Sequence, residues 1–239
     1  MRQVVLDTET TGLDVAQGHR IIEVGVVELV NRRTTGRVFH HYVNPNRDID
    51  AGAAAVHGIT LSRLADKPRF EAIAADLLAF IDGAEILAHN ASFDIAFLDE
   101  ELRLYALRSN TERVKIRSRC RVLDTLALAK EMHPGQRNGL DALCKRYSVD
   151  NSHREYHGAL LDARILADVY LAMTGGQSAL ALDDHGRGAL EAALLSRQLE
   201  RAGPALPVVE ATEAELVAHE KLLAIIDKAS GGKTVWRQN

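Results

Sequence analysis

Residues 4–13 read VVLDTETTGL, an apolar run that closes on two carboxylates, Asp7 and Glu9, with a single threonine between them. A valine-rich run of this length, bounded by a glycine-containing turn, is a strand. On a strand, residues two apart project to the same side at roughly 7 Å from each other. The two acids therefore face one way, and each raises the pKa of the other unless a cation compensates. Hard oxygen ligands of this kind suit magnesium or manganese. Taken by itself, the stretch fits a solvated strand end with two ordinary surface acids equally well.

Working outward, two more strand-like runs follow: IIEVGVVELV at 21–30 and GRVFHHYV at 36–43. Short polar turns separate them, so a meander is the simplest topology. Helical spacing then appears in FEAIAADLLAFID (70–82), a short strand in EILAH (85–89), and a second helix in SFDIAFLDEELRLYAL (92–107). RVLDT (121–125) reads as a strand, with helices around 125–132, 139–147 and 158–173. Strands first, then alternating helices and strands, predict an α/β fold with a mixed sheet flanked by helices.

The chain has 239 residues, of which 46% are hydrophobic and 26% charged, the balance of a soluble globular protein. No run of eighteen apolar residues and no basic-then-apolar leader is seen, so a cytoplasmic protein with no membrane segment is expected. Cys120 and Cys144 lack the paired spacing of a zinc site and read as two reduced structural thiols. A net charge of −4 gives no support for a general polyanion binder. The character changes after Gly175, which bounds a first domain at 1–175. GGQSALALDDHGRG is glycine-punctuated without periodicity, so 176–188 is expected to be a flexible linker. A small helical tail, 189–239, follows. It holds ALEAALLSRQLER (189–201) and TEAELVAHEKLLAIIDKAS (212–230), the latter opened by Thr212 and Glu215 at capping-box spacing and stopped by Gly231 and Gly232.

Two later acids change the meaning of the first pair. HNASFD sets Asp94 in the first turn of a helix behind Asn90 and Ser92 as caps, where its bland role is to compensate the helix dipole. HGALLDARILADVY sets Asp162 near the start of a helix with an inward stripe of Leu161, Ile165, Leu166 and Val169. His157 stands five residues before Asp162, and five helical steps rotate by about 140°. The histidine therefore belongs on the loop entering that helix, free to swing, as suits a proton carrier.

In this order, DTETTG, HNASFD and HGALLD resemble the DEDD exonucleases, in the branch with histidine in the last motif, which has a ribonuclease-H-like fold. The tyrosine branch carries its base four residues before the last aspartate; that position is Gly158, and Tyr156 is out of register. VVELVNRRTTG, VHGI, DKPRF, NGLDALCKRY, HGALLDARILADVYLAMTGGQ and the terminal WR extend the similarity, along the whole chain, to family members that proofread within bacterial replicative polymerases. The resemblance implies that Asp7, Glu9, Asp94 and Asp162 hold two divalent ions, Mg2+ or Mn2+. Asp7 is the expected bridge, Glu9 and Asp162 complete the nucleophile-side ion, and Asp94 supports the other. His157 would deprotonate the attacking water at a single-stranded or frayed 3′ end of DNA.

The same resemblance implies that Thr10, Gly12, Leu13, Val56, His57, His89, Asn90 and Phe93 line a pocket for the terminal nucleotide. Thr10 and Gly12 would lie in a turn where small residues admit a close approach, with Thr8 pointing away from its acidic neighbours. Phe93 would stack on or wedge against a base, or else simply be core. The tail 189–239 becomes a binding element for the catalytic alpha subunit of the polymerase. QSALAL (177–182), through Gln177, Leu180 and Leu182, loosely fits the peptides that dock into sliding clamps. RVKIRSRCR (113–121), if extended, presents Arg113, Lys115, Arg117, Arg119 and Arg121 along one basic edge, and otherwise is a solvated loop. Two other readings stay open, an exoribonuclease of the same fold and a mainly structural subunit that tethers the polymerase.

Overall fold

In the computed structural model, residues 1–154, 156–175 and 211–231 are described. β1 (Arg2–Thr10), β2 (Ile21–Val30) and β3 (Arg33–Tyr42) form the meander, followed by α1 (Ala51–His57), α2 (Leu61–Leu64), α3 (Phe70–Ile81) and β4 (Glu85–Ala88). Then come α4 (Ala91–Ser109), α5 (Ile116–Arg119), β5 (Arg121–Asp124), α6 (Thr125–Met132), α7 (Leu140–Tyr147) and α8 (Ala159–Gly175). These belong to one compact unit, Met1–Ala179; α9 (Glu213–Ser230) belongs to a second, which begins at Leu180.

The sheet is mixed, in the order β3-β2-β1-β4-β5. β1 pairs antiparallel with β2 and parallel with β4, which pairs parallel with β5. Strand parity divides the core in two. Val4 and Leu6 of β1, with Val24 and Val26 of β2, face α3 and α4; Val5, Val27 and Leu29 face α6, α7 and α8. Asp7 and Glu9 have the parity of Val5, and Thr8 that of Val4 and Leu6, so the end of β1 offers polar groups to both layers.

β2 lies where its Val- and Ile-rich run placed it, at 21–30, but β3 starts at Arg33 and not at residue 36. The cause is a tight hairpin: Asn31 and Arg32 both take positive φ, 49° and 62°, the backbone a two-residue primed turn requires. Residues 51–57 and 61–64, for which no element was expected, form two short helices. The basic run 113–121 is not an extended edge. Ile116–Arg119 closes a helical turn with Ile116 buried, which destroys the shared parity of its cations. Cys120 and Cys144 are buried free thiols, as expected. α9 has the expected capping box, Thr212 with Glu215. The helix expected at 189–201, the linker 176–188 and the terminal WR lie outside the described residues.

Candidate active site

The site forms where β1 runs out of the sheet. Asp7 lies opposite Gly25 of β2 and Glu9 opposite Glu23. Only a glycine fits at position 25, because a Cβ there would fall 2.3 Å from the backbone of Ala159 and Leu160. The first turn of α8 therefore rests directly on the sheet, and Asp162, one turn on, is brought beside the β1 acids. Asp94 arrives from the other layer. It is buried in the first turn of α4, and the Thr8 hydroxyl donates to its Oδ1 at 2.7 Å. Thr8 does point away from Asp7 and Glu9, as expected, but toward Asp94. Asn90 takes the left-handed N-cap conformation, φ 70°, and makes no side-chain cap, so the capping role expected of it and of Ser92 does not materialise. The peptide N–H of Asn90 is held instead by Asp124 Oδ1, at 3.2 Å.

Asp7, Glu9, His89, Asn90, Phe93, Asp94, His157 and Asp162 line one cavity of about 790 Å3. Ligand atoms of Glu9, His157 and Asp162 all lie within 4.8 Å of one another. His157 is on the loop before α8, its side chain 45% exposed and its Nδ1 3.3 Å from Asp162. Burial, then the charges of Asp94, Glu9 and Asp162, raise the Asp7 carboxyl well above the usual range. Burial, then Asp162 and Glu23, push Glu9 up to about 8, and burial pushes Asp94 up to about 7 despite the Thr8 hydrogen bond. Asp162 is also desolvated, yet its contacts with His157 and Arg154 and the charge of Arg154 hold it below the usual range. The cluster is thus short of positive charge and rich in hard oxygen donors, which fits divalent cations.

The sequence reading missed Arg154. Its side chain is 8% exposed and forks onto Asp162, Nε to Oδ1 at 2.6 Å and Nη2 to Oδ2 at 2.7 Å. It also donates to Asp141 Oδ1 through Nη1 and to His157 Nδ1 through Nη2, each at 2.7 Å. The available signal was a lone arginine three residues ahead of His157 in a segment without periodicity.

A second cavity, about 510 Å3, shares Thr8, Glu9 and Phe93 with the first. Thr10, Gly12, Leu13, Val56 and His57 line it, whereas His89 and Asn90 face the acid cavity. Phe93 packs on Phe97, with centroids 4.8 Å apart, and also lines both cavities. Gly12 lines this cavity and also has a packing role. A Cβ there would meet the His19 ring at 2.3 Å, so the missing side chain makes room for His19. Thr10 donates to Gly12 O at 2.7 Å, which closes the turn. His57 Nδ1 accepts the Ile59 N–H at 3.0 Å, which leaves the ring proton on a buried Nε2 that has no partner among the described residues. His89 Nδ1 lies 3.1 Å from Thr125 Oγ1, whose proton goes to Ala88 O, so His89 donates there and its buried Nε2 is an open acceptor. The His157 loop is docked on the end of α1: His157 N donates to Val56 O at 3.2 Å, and the Tyr156 ring covers Gly58. Gln177, Leu180 and Leu182 lie outside the described residues.

Compared with known proteins, residues 4–170 match the Exonuclease family. The DNA polymerase III subunit epsilon of Escherichia coli (strain K12) is 48% identical over 241 residues, which cover 99% of this chain and 97% of that one. That of Pasteurella multocida (strain Pm70) is 46% identical over 244 residues, 99% and 94% of the two chains. Among solved structures, exonuclease X in complex with 5′ overhanging duplex DNA has a TM-score of 0.52 at 28% identity, covering 74% of this chain and 95% of its own. The zinc-bound form of the E. coli ExoI–ssDNA complex, at 18% identity, covers 74% of this chain and 41% of its own with a TM-score of 0.60, and so shares the fold.

Proposed function

The chain belongs to the exonuclease family and, within it, to the DNA polymerase III epsilon subunits, and we propose that it carries out their 3′ to 5′ proofreading through Asp7, Glu9, Asp94, His157 and Asp162. The observation that carries this assignment is the meeting of four carboxylates and one loop histidine in a single cavity at the end of β1. In the proposal, Asp7, Glu9, Asp94 and Asp162 hold two divalent ions, Mg2+ or Mn2+. When bound, such ions supply an activated water, a clamped phosphate and a neutralised 3′ leaving oxygen.

The chain's own groups do the rest. His157 accepts the proton of the attacking water, for which an imidazole on a half-exposed loop is suited near neutral pH. Thr8 fixes Asp94, and Gly25 sets the distance of Asp162 from β1. Leu13, Val56, His57 and Phe93 give the unpaired terminal nucleotide an apolar seat beside the acids, with Thr10 holding the turn beneath it. The net charge of −4 fits a subunit to which the polymerase delivers the frayed end.

The DNA polymerase III alpha subunit is the proposed partner of the tail 189–239. Leu216, Val217, Leu222, Ile225 and Ile226 of α9 are exposed apolar side chains that a subunit interface would cover. Residues 177–182 are proposed to reach the sliding clamp. No helix among the described residues is long and apolar enough to cross a membrane, and work on chromosomal DNA points to the cytoplasm.

The test is nucleotide release from a mismatched primer with Mg2+ or Mn2+, for the chain alone and with the alpha subunit. His157→Ala should lower turnover by at least about a hundredfold, the range expected for a lost general base, and Asp7→Ala, which removes a proposed metal ligand, at least as much, each with an unchanged circular dichroism spectrum. Near-normal release by either variant would refute its role. Equal release from an RNA primer would favour an exoribonuclease.

A further inference from the structure

Arg154 raises a question that the proposed reaction leaves unanswered. The guanidinium grips two of the three residues whose ligand atoms converge, Asp162 through both oxygens and His157 through Nδ1. Guanidinium nitrogens only donate. The Nδ1 of His157 must therefore be the acceptor, and the neutral ring carries its proton on Nε2, where it can accept no further proton. A divalent ion on Asp162 would need the oxygens that the fork occupies, and two cations do not share one desolvated carboxylate cheaply. The anchor on the far side is suited to release: Asp141 is 63% exposed, so an arginine that leaves Asp162 still has a solvated acid to hold.

Resting on the proposal that Asp162 is a metal ligand, we propose that Arg154 is a displaceable internal cation: it closes the acid cluster before the ions enter and holds His157 in the tautomer that cannot act as a base. Ion entry expels the guanidinium from Asp162. Nδ1 then takes up a proton from solvent and donates a hydrogen bond to Asp162 Oδ2, 3.3 Å away, while the Nε2 proton is released to solvent, so that Nε2 becomes the open base. Loading of the site and arming of the histidine become one event, and the ion-free chain is prevented from holding a half-built centre. Arg154 is on this view a positioning residue, acting through Asp162 and His157.

The experiment is calorimetric titration of the full chain with MnCl2 in the absence of DNA. Saturable binding by wild type that Asp162→Asn removes establishes the ligand; wild type that binds no Mn2+, or Asp162→Asn that binds as wild type does, sinks the ligand assignment itself. Given that ligand, Arg154→Ala should bind Mn2+ at least tenfold more tightly than wild type. Lys145→Ala, which removes a cation from the same cavity that is not a partner of Asp162, should change affinity less than twofold. Arg154→Ala within twofold of wild type or weaker, or Lys145→Ala tightening equally, overturns the proposal, since a fixed strut or a general field would give those results. If Arg154→Ala fails to fold, Arg154→Lys, which keeps the charge but loses the fork, is to bind at least threefold tighter, and no tightening overturns the proposal. Nitrogen-15 spectra of the ion-free proteins supply a second readout. The His157 proton is expected on Nε2 in wild type and on Nδ1 in Arg154→Ala, and one tautomer in both overturns the role assigned to the histidine.

Discussion

Thr8 stands between two acids and serves a third. Its hydroxyl is the hydrogen-bond donor that holds Asp94 in place from the opposite face of β1. Thr8→Val keeps the shape and removes the donor. Turnover on a mismatched primer should fall about tenfold, and stability by about 1–2 kcal/mol for the unpaired carboxylate, read from the urea midpoint. Unchanged turnover would mean that Asp94 finds its position without the threonine. The places of Asp7, Glu9, Asp94, His157 and Asp162 were legible in local pattern, since each sits at a strand end, in a first helical turn or on a loop, whereas their common role rested on the family resemblance of the three motifs. Arg154 was not, because its partners Asp141, His157 and Asp162 are reached by a long side chain whose direction no periodicity encodes.

At the scale of elements, the contact between α8 and β2 governs the site. Gly25→Ala would put a methyl carbon 2.3 Å from the backbone of Ala159 and Leu160. Backbone cannot yield as a flexible side chain can, so the helix must lift, at a cost of about 1–3 kcal/mol or more. Asp162 moves with it. Lower thermal stability together with at least tenfold weaker Mn2+ binding is the expected result; lost stability with wild-type Mn2+ affinity would separate the helix from the metal site. Strands and long helices were readable because burial marks them, β2 as a Val- and Ile-rich run at 21–30 that is buried on both faces and α3 by its helical period at 70–81. α1, AGAAAVH, was not, since four of its seven residues are alanine and one is glycine, too small to mark a face.

Over the whole molecule, the carboxylates make stability depend on pH in an unusual direction. Glu9 moves from 4.5 to about 8 and Asp94 from 3.8 to about 7, so the folded chain keeps protons that the unfolded chain has lost. Their contribution is complete below the unfolded values and is lost as pH rises through the folded ones. With EDTA present, the thermal midpoint should fall between about pH 4 and pH 8, and saturating Mn2+ should flatten the fall, because the ions take the place of the protons. A midpoint that rises over that window in EDTA would show that the acids are not strained by one another. Asp162, held below 3.8, acts in the opposite sense only in stronger acid. The mixed sheet flanked by helices followed from strands preceding the helix–strand alternation. What lay beyond the sequence was the joining of distant loops, above all the seat of residues 156–158 on α1.

That seat has a mechanical meaning. The last turn of α1 supplies Val56 and His57 to the wall of one cavity, and the same turn takes the hydrogen bond of the His157 peptide and lies under Tyr156. The wall and the histidine hang from a common mount. A displacement of α1 would be passed on to the wall directly and to the histidine through that hydrogen bond and ring contact.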